Sequence, residues 1–165
     1  MFDKFGEFDS AEELNKAAAG FKNEGDIESL KELAKENGID EEDAEDYADG
    51  YADCLATQMM AAVGRLKAER LAEKASAVSP IGVILIMTLG MCTDEDIQKG
   101  VMRKGKRAAK LLDEMRTVAK DHKDGNVGVC CGTDKQLKDI IRAYYTQPEQ
   151  SYRKKLRGLY EVEDE

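Results

Sequence analysis

Most of the chain repeats apolar residues at intervals of three and four positions, which is the spacing of amphipathic helices. In one segment Leu55, Met59 and Ala62 show this spacing, and Arg65 and Glu69 are expected on its solvated outer side. The pattern predicts helices over residues 10–25, 26–37, 40–49, 51–76 and 93–122, and two further helices that begin at Thr133 and Pro148.

Residue types at the predicted helix ends support these bounds. Residues 10–13 and 93–96 have the Ser/Thr-x-x-acid spacing of a capping box. Gly38 follows the second helix, where glycine takes the left-handed conformation without strain. Gly100 and Gly105 fall inside the long helix of the second half and are expected to weaken or kink it.

The run 79–92 differs from the rest because it contains no charged residue. Ser79 suits the N-cap position of a helix, and Pro80 suits the first helical turn. The residues that follow have no polar face, as expected of a helix that neighbouring elements cover on all sides. Five of them are β-branched, so a buried strand is the alternative interpretation. The run is shorter than the ~20 apolar residues that cross a bilayer, so no membrane span is predicted here.

Together these elements predict an all-α fold, a helical bundle around a central apolar helix. Charged residues make up 36% of the 165 residues and aromatic residues 6%, a composition that favours helices over sheets. The chain is expected to divide into an acidic three-helix unit, residues 1–50, and a helical body, residues 51–165. Residues 1–10 lack the pattern of a secretory signal, so a cytoplasmic protein is expected.

Charge is distributed unevenly along the chain. Residues 1–53 carry 18 acidic and 5 basic side chains, whereas residues 99–157 carry 16 basic and 7 acidic ones. The net charge of the whole chain is −9. Three arrangements account for this asymmetry: an acidic surface for a basic partner, a basic surface for nucleic acid, or two halves that attract each other.

Residues 29–50 resemble the helix-turn-helix of bacterial repressors. Ala34, Gly38, Ile39 and Ala44 stand where that pattern requires a small residue, a turn glycine, an apolar turn residue and a small inward residue. The second helix, however, is strongly acidic and has no basic residue. Phosphates would repel it, and phosphate neutralisation supplies much of the affinity for DNA. We therefore expect either a packing unit with a solvated acidic face or a negative surface that mimics nucleic acid.

The segment 99–123 is the main basic stretch of the chain. Base stacking is not indicated, because no aromatic residue interleaves the basic positions. Three interpretations stay open: a solvated helix face, a surface for RNA or DNA phosphates, and pairing with the chain's own acidic half or with a second copy. The candidates for binding phosphates or an acidic partner are Lys99, Arg103, Lys106, Arg107 and Lys110.

The sequence predicts no catalytic residue, no metal site and no cofactor. Cys92, His122, Cys130 and Cys131 are the only set that offers several metal ligands, but adjacent cysteines are poor tetrahedral ligands. All the cysteines, Cys54 included, are expected to be reduced thiols. Cys131 precedes a predicted helix N-terminus, which can lower the pKa of a thiol, and it would be the nucleophile in an alternative, enzymatic interpretation.

From MFDKFGEFDSAEELN to its acidic end, the chain resembles the small acidic helical proteins of phages and mobile elements of clostridial bacteria. That group includes anti-CRISPR proteins and other inhibitors of host defence. The resemblance implies a non-enzymatic, stoichiometric inhibitor that presents acidic helices to the basic channel of a protein partner, such as a nuclease or another defence effector. The alternatives are a nucleic-acid-binding accessory protein that uses residues 99–123 and, compatible with either, a homo-oligomer. The carboxylates expected to replace phosphates are Glu41, Glu42, Glu45, Asp46, Asp49 and Asp53.

Overall fold

The computed structural model describes residues 1–160, and this part of the chain is helical throughout its regular structure, without a β-strand. The predicted all-α helical bundle is thereby confirmed. The end of the predicted helical body, at residue 165, lies outside the described residues. The helices are α1 (Ala11–Glu24), α2 (Ile27–Glu36), α3 (Glu41–Asp49), α4 (Gln58–Ala72), α5 (Pro80–Gly90), α6 (Glu95–Met102), α7 (Ala108–Asp121), α8 (Asp134–Thr146) and α9 (Glu149–Gly158).

Short polar side chains and glycines fix several helix ends where the sequence predicts them. The Ser10 hydroxyl accepts a hydrogen bond from the backbone N–H of Glu13 at 3.1 Å and so caps α1. A complete capping box opens α8. At the end of α2, Gly38 has a φ of +68°, and the N–H of Ile39 donates to the carbonyl oxygen of Ala34 at 2.9 Å. This pattern satisfies carbonyl groups that the helix end would otherwise leave free.

The fourth helix is shorter than predicted, because it begins at Gln58 instead of Tyr51. Gly50 ends α3 with a φ of +85°, and a loop without helical structure follows. Asn15 of α1 holds this loop: its amide donates to the carbonyl oxygen of Ala56 at 2.7 Å and accepts from the N–H of the same residue at 3.0 Å. A distant side chain thus satisfies backbone groups that would otherwise favour helix formation.

The helix predicted over residues 93–122 is in fact two helices, α6 and α7. Residues 103–107 connect them, and Gly105 in this connection has a φ of +73°, a conformation that glycine adopts without strain. The N-cap of α6 is Asp94, and the capping box predicted from Thr93 does not form. Gly105 therefore breaks the helix, whereas the sequence predicted one helix that is only weakened or kinked.

The buried core is continuous from Phe8 to Leu156, and α6 packs most extensively on α4 and α8. Gly100 allows this close packing, because a Cβ atom there would lie 2.2 Å from the carbonyl oxygen of Tyr145. Tyr145 itself is fully buried. The division of the chain into two units at residue 50 stays a prediction.

The charge-free run forms α5, with the Ser79 hydroxyl as its N-cap, so the helix is confirmed and the strand alternative is wrong. It packs on α4, α7 and α8, which cover Ile84 and Leu85. The expectation that neighbours cover it on all sides is wrong: Ile86 is 40% exposed and Leu89 is 39% exposed. Within residues 1–160, no helix combines the length and the apolar character that crossing a membrane requires.

Residues 1–9 form a non-helical segment, the N-terminal strap, which lies on the helical body. Phe2 and Phe8 are buried, and the ring of Phe5 meets Phe21 edge-to-face with 5.4 Å between centroids. The strap places Glu7 against basic residues of the second half of the chain, as described below.

Candidate functional site

Helix α3 is held so that one of its sides faces solvent. Its inner side carries Ala44 and Tyr47, which are both buried. Lys22 of α1 fixes this side from outside, because its ammonium donates to the carbonyl oxygen of Tyr47 at 2.5 Å and lies 4.4 Å from the centre of the Tyr47 ring. Since α3 packs mainly on α2, the side opposite Ala44 and Tyr47 stays open.

Five of the six predicted acidic residues lie on that open side, and we call them the α3 acidic face. At 100° per residue they fall within about 140° of arc, and at 1.5 Å per residue they span about 12 Å. This places one carboxylate about every 3 Å along the helix axis, close to the one charge per ~3.4 Å of a DNA strand. All five are exposed: Glu41, Glu42, Glu45, Asp46 and Asp49.

The sixth predicted residue, Asp53, is exposed but does not continue this row. It lies in the loop that follows the left-handed Gly50, beyond the end of α3. The expectation of carboxylates on successive helical turns up to residue 53 is therefore wrong at its last position.

Lys31 of α2 neutralises part of the α3 acidic face. Its ammonium lies 3.2 Å from a carboxylate oxygen of Glu41 and 2.5 Å from one of Glu45. The hydrogen bonds to Glu45 and Glu41 raise the pKa of Lys31. Within residues 1–160, by contrast, Glu42, Asp46 and Asp49 enter no ion pair, so three adjacent carboxylates are left to solvent.

The helix macrodipole acts differently on the two ends of α3. Acidic side chains in the first turn are favourable, because the N-terminal end carries partial positive charge. Asp46 and Asp49 lie in the last turn, where no basic residue accompanies them and the dipole disfavours negative charge. These two carboxylates therefore lower the stability of the helix that carries them.

The predicted basic residues are divided between α6, the connection 103–107 and α7. Lys99 pairs with Glu95 one turn earlier on α6, at 3.6 Å. Arg107 pairs with Glu7 of the N-terminal strap at 3.7 Å. The neighbouring Lys104 pairs with Glu13 of α1 at 3.3 Å. These contacts support the interpretation in which the two halves of the chain attract each other.

Lys106 points inward as well. Its ammonium donates to the carbonyl oxygen of Tyr144 at 2.9 Å and lies 4.3 Å from the centre of the Tyr144 ring. Burial lowers the pKa of Lys106. Of the five predicted basic residues, only Arg103 and Lys110 are exposed without an ion pair among the described residues. Lys120 and Lys123 of the same segment are likewise exposed without an ion pair among the described residues.

Arg65 has a role that its position in the sequence pattern did not suggest. It was expected on the outer side of α4, but it is 3% exposed. Its guanidinium donates to the carbonyl oxygens of Phe8 at 2.8 Å and Met102 at 2.6 Å, and it forms an ion pair with Glu7. Burial lowers the pKa of Arg65 to about 10. This side chain joins the N-terminal strap, α4 and the end of α6.

Glu69, one turn further along α4, is also buried instead of solvated. Its carboxylate accepts a hydrogen bond from the N–H of Ala109 at 3.1 Å and thereby caps α7, whose own N-cap Arg107 makes no side-chain cap. Burial raises the pKa of Glu69. In the structure, residues 65 and 69 follow the buried Ala61 at intervals of four and so lie on the same side of α4.

The residues considered as metal ligands do not come together. Cys92 is buried, and burial raises its pKa to about 11. The ring of His122 stacks on Tyr160 with 4.1 Å between centroids. Cys130 and Cys131 lie half-buried in the loop before α8. Among residues 1–160, no three side chains of His, Cys, Asp or Glu are arranged to hold a metal ion.

The thiols of Cys130 and Cys131 affect each other. Their hydrogen bond lowers the pKa of Cys130 and, together with burial, raises that of Cys131. The expectation that the start of α8 lowers the pKa of Cys131 is therefore wrong. The backbone N–H groups of Gly132 and Thr133 are directed to the Gln136 side chain instead, at 2.9 and 3.2 Å.

No protein-family model, curated protein or solved structure matches the chain. The resemblance to phage-encoded acidic proteins stays a prediction.

Proposed function

We propose that the chain is a non-enzymatic interaction protein of the phage or mobile-element type, an inhibitor similar to anti-CRISPR proteins. In this proposal it acts in the cytoplasm and presents the α3 acidic face to the basic nucleic-acid channel of a nucleic-acid-handling protein. The observation that carries the proposal is the row of exposed carboxylates of Glu42, Asp46 and Asp49 on one side of α3, which form no ion pair within residues 1–160.

The density of charge on this face supports nucleic-acid mimicry. The unpaired carboxylates of Glu42, Asp46 and Asp49 follow one another at about 6 Å and about 4.5 Å along the axis of α3, so they present a basic channel with a row of negative charges, as the phosphates of a strand do. Opposite charges on two surfaces steer the encounter and increase the association rate, in a way that salt weakens. Because Tyr47 and Lys22 hold α3, the backbone that carries the carboxylates is already in place before a partner binds.

The position of Asp46 and Asp49 also supports a role in binding. Carboxylates in the last turn of a helix cost stability of about 0.3–1 kcal/mol each. No basic side chain within the described residues compensates them. A protein that binds its partner through these charges retains them in spite of this cost in stability.

The alternative function, binding of nucleic acid through residues 99–123, has weaker support. Lys106 and Arg107 are engaged within the chain, and Arg103 and Lys110 lie on separate elements. A gel-shift titration at low ionic strength separates the two functions, because only the alternative predicts a salt-dependent complex with DNA or RNA.

The experiment that tests the proposal is capture of a partner from a lysate of cells that carry the chain. The test variant is E42Q/D46N/D49N, and the matched control is E12Q/E24Q/E28Q, which removes three exposed carboxylates from α1 and α2. We expect the wild type and the control to retain a nucleic-acid-binding protein that added duplex DNA releases. The test variant should lose it. Capture of no DNA-displaced protein, or equal capture by the test variant, would overturn the proposal.

A further inference from the structure

A cavity of about 380 Å³ lies between α5, α7 and the loop that precedes α8. Its walls are mainly apolar, with Val83 of α5, Leu112 of α7 and Leu137 of α8 among them. The volume falls within the range of about 300–1,000 Å³ that is usual for small-ligand sites. The two adjacent cysteines, Cys130 and Cys131, contribute to the same wall.

The two thiols of this wall differ from the other cysteines of the chain. Cys130 and Cys131 are half-buried and adjacent in the chain, and the interaction between the two thiols lowers the pKa of Cys130. Cys92 is buried in the core, and Cys54 lies in the loop before α4, away from this cavity. Only the pair combines two neighbouring thiols with an apolar space beside them.

We propose that Cys130, Cys131 and this cavity form a dithiol site for a thiophilic ligand that carries an apolar group. Soft centres such as trivalent arsenic prefer sulfur ligands, and two thiols on adjacent residues bind one such centre together. The apolar group then fills the cavity and removes its own surface from water. This site is independent of the α3 acidic face.

The bonding step is balanced without an oxidant. With phenylarsine oxide as the probe, two arsenic–sulfur bonds form and the arsenic–oxygen bond is lost. The two thiol protons leave with that oxygen as one water molecule, and arsenic stays trivalent. One thiol of the pair attacks first as its thiolate, because the thiolate form is the reactive one. The other thiol then closes the chelate from the adjacent position, where its effective concentration is high.

The test is a titration of the full-length chain with phenylarsine oxide, followed by intact mass and by the number of free thiols. We expect one adduct per chain, the loss of two free thiols, and release by a small dithiol but not by a monothiol. Cys130→Ser and Cys131→Ser should each weaken binding by about 100-fold or more, since the second bond is lost. Cys54→Ser is the matched control and should bind as the wild type does. Circular dichroism establishes that each variant is folded.

A second comparison tests the cavity separately from the thiols. Val83→Phe places a ring in the cavity and leaves both cysteines in place. It should weaken binding of phenylarsine oxide and leave binding of inorganic arsenite, which has no apolar group, unchanged. Retention of the adduct in either single serine variant would overturn the dithiol assignment. Equal binding of phenylarsine oxide by Val83→Phe and the wild type would overturn the role of the cavity.

Discussion

Arg65 and Glu69 are two buried charges on one face of α4, and each satisfies groups that lie far away in the sequence. Arg65 reaches carbonyl groups of the N-terminal strap and of α6, while Glu69 reaches the first turn of α7. Removing a buried charge leaves the groups that it contacts without a partner. This lowers the free energy of unfolding by more than the original interaction contributes. Single substitutions at these residues should therefore have large effects.

Arg65→Met tests the first of these charges. Methionine has a similar length but cannot donate, so the carbonyl oxygens of Phe8 and Met102 lose their donor, and Glu7 keeps only Arg107 and the N–H of Gly105 as partners. We expect the free energy of unfolding to fall by about 3–5 kcal/mol. Lys67→Met, an exposed position on the same helix, should change it by no more than about 0.5 kcal/mol. Urea unfolding followed by circular dichroism measures both, and equal effects of the two would contradict the assignment.

Glu69→Gln tests the second charge through its pH dependence. Burial raises the folded-state pKa of Glu69 above its ordinary value of 4.5. The unfolded chain therefore releases this proton first as pH rises, so the wild type loses stability between the unfolded and folded pKa values. The glutamine variant keeps an oxygen acceptor for Ala109 and has no such loss.

The measurement is the difference in urea midpoint between Glu69→Gln and the wild type. It should shift in favour of the variant as the pH rises from about 4 to about 7, in the direction that proton linkage requires. A difference that stays constant with pH would show that the Glu69 carboxyl does not titrate abnormally.

These two residues also show what sequence pattern leaves undetermined at the residue scale. Helical spacing correctly placed Ala62 in the core, whereas Met59 of the same pattern is 47% exposed and Leu55 is buried from the loop before α4. The same periodicity assigned Arg65 to solvent, since a charged side chain is buried only where distant partners satisfy it. Those partners lie on the N-terminal strap and at the end of α6, and no local rule identifies them.

At the scale of helices, the close packing of α6 on α8 depends on Gly100. Alanine favours helix more than glycine by up to about 1 kcal/mol, so propensity alone predicts stabilisation. The Cβ atom of alanine, however, would lie 2.2 Å from the backbone oxygen of Tyr145, and a backbone atom cannot yield as a flexible side chain does.

Gly100→Ala should therefore lower the free energy of unfolding by about 1–3 kcal/mol, as overpacked sites do. Gly20→Ala is the matched control, because Gly20 lies within α1 and no atom lies within 4 Å of its added Cβ. That variant should gain about 0.5–1 kcal/mol. Thermal unfolding of both variants gives the comparison, and stabilisation by both would show that α6 and α8 do not need the glycine.

Helix α3 carries the corresponding prediction for the acidic face. Neutralising Asp46 and Asp49 removes two unfavourable interactions with the helix C-terminus and relieves repulsion between neighbouring carboxylates, which offsets the one favourable first-turn interaction lost with Glu42. E42Q/D46N/D49N should thus be at least as stable as the wild type in urea unfolding. A clear loss of stability would mean that these carboxylates serve the fold instead of a partner.

Helices could be predicted well where their ends depend on local chemistry, as at Ser10 and Gly38. Prediction failed where a distant contact decided the outcome. Asn15 holds the loop before α4 in a non-helical form, and Glu7 accepts the N–H of Gly105 at 3.1 Å between α6 and α7. The spacing of the acidic residues alone predicted that carboxylates of α3 face solvent. No local pattern predicted that the side chain of Lys106 points inward.

Across the whole molecule, some of the unevenly distributed charges pair with each other within the chain, and others face solvent. Lys104 and Arg107 pair with Glu13 and Glu7, so basic residues of the second half hold the acidic first half in place. The α3 acidic face takes little part in this pairing, because only Lys31 approaches it among the pairs described above. Three carboxylates without an ion pair among the described residues therefore face outward side by side on α3, and their use in binding is the central claim about function.

Competition with DNA tests this claim most directly. A fluorescently labelled duplex is bound to the partner protein obtained by capture, and its anisotropy is followed as the chain is added. The wild type should displace the duplex at about one chain per partner, and E42Q/D46N/D49N should require at least ~10-fold more, equivalent to ~1.4 kcal/mol. A duplex that stays bound while the chain also binds, or equal displacement by the variant, would contradict the account.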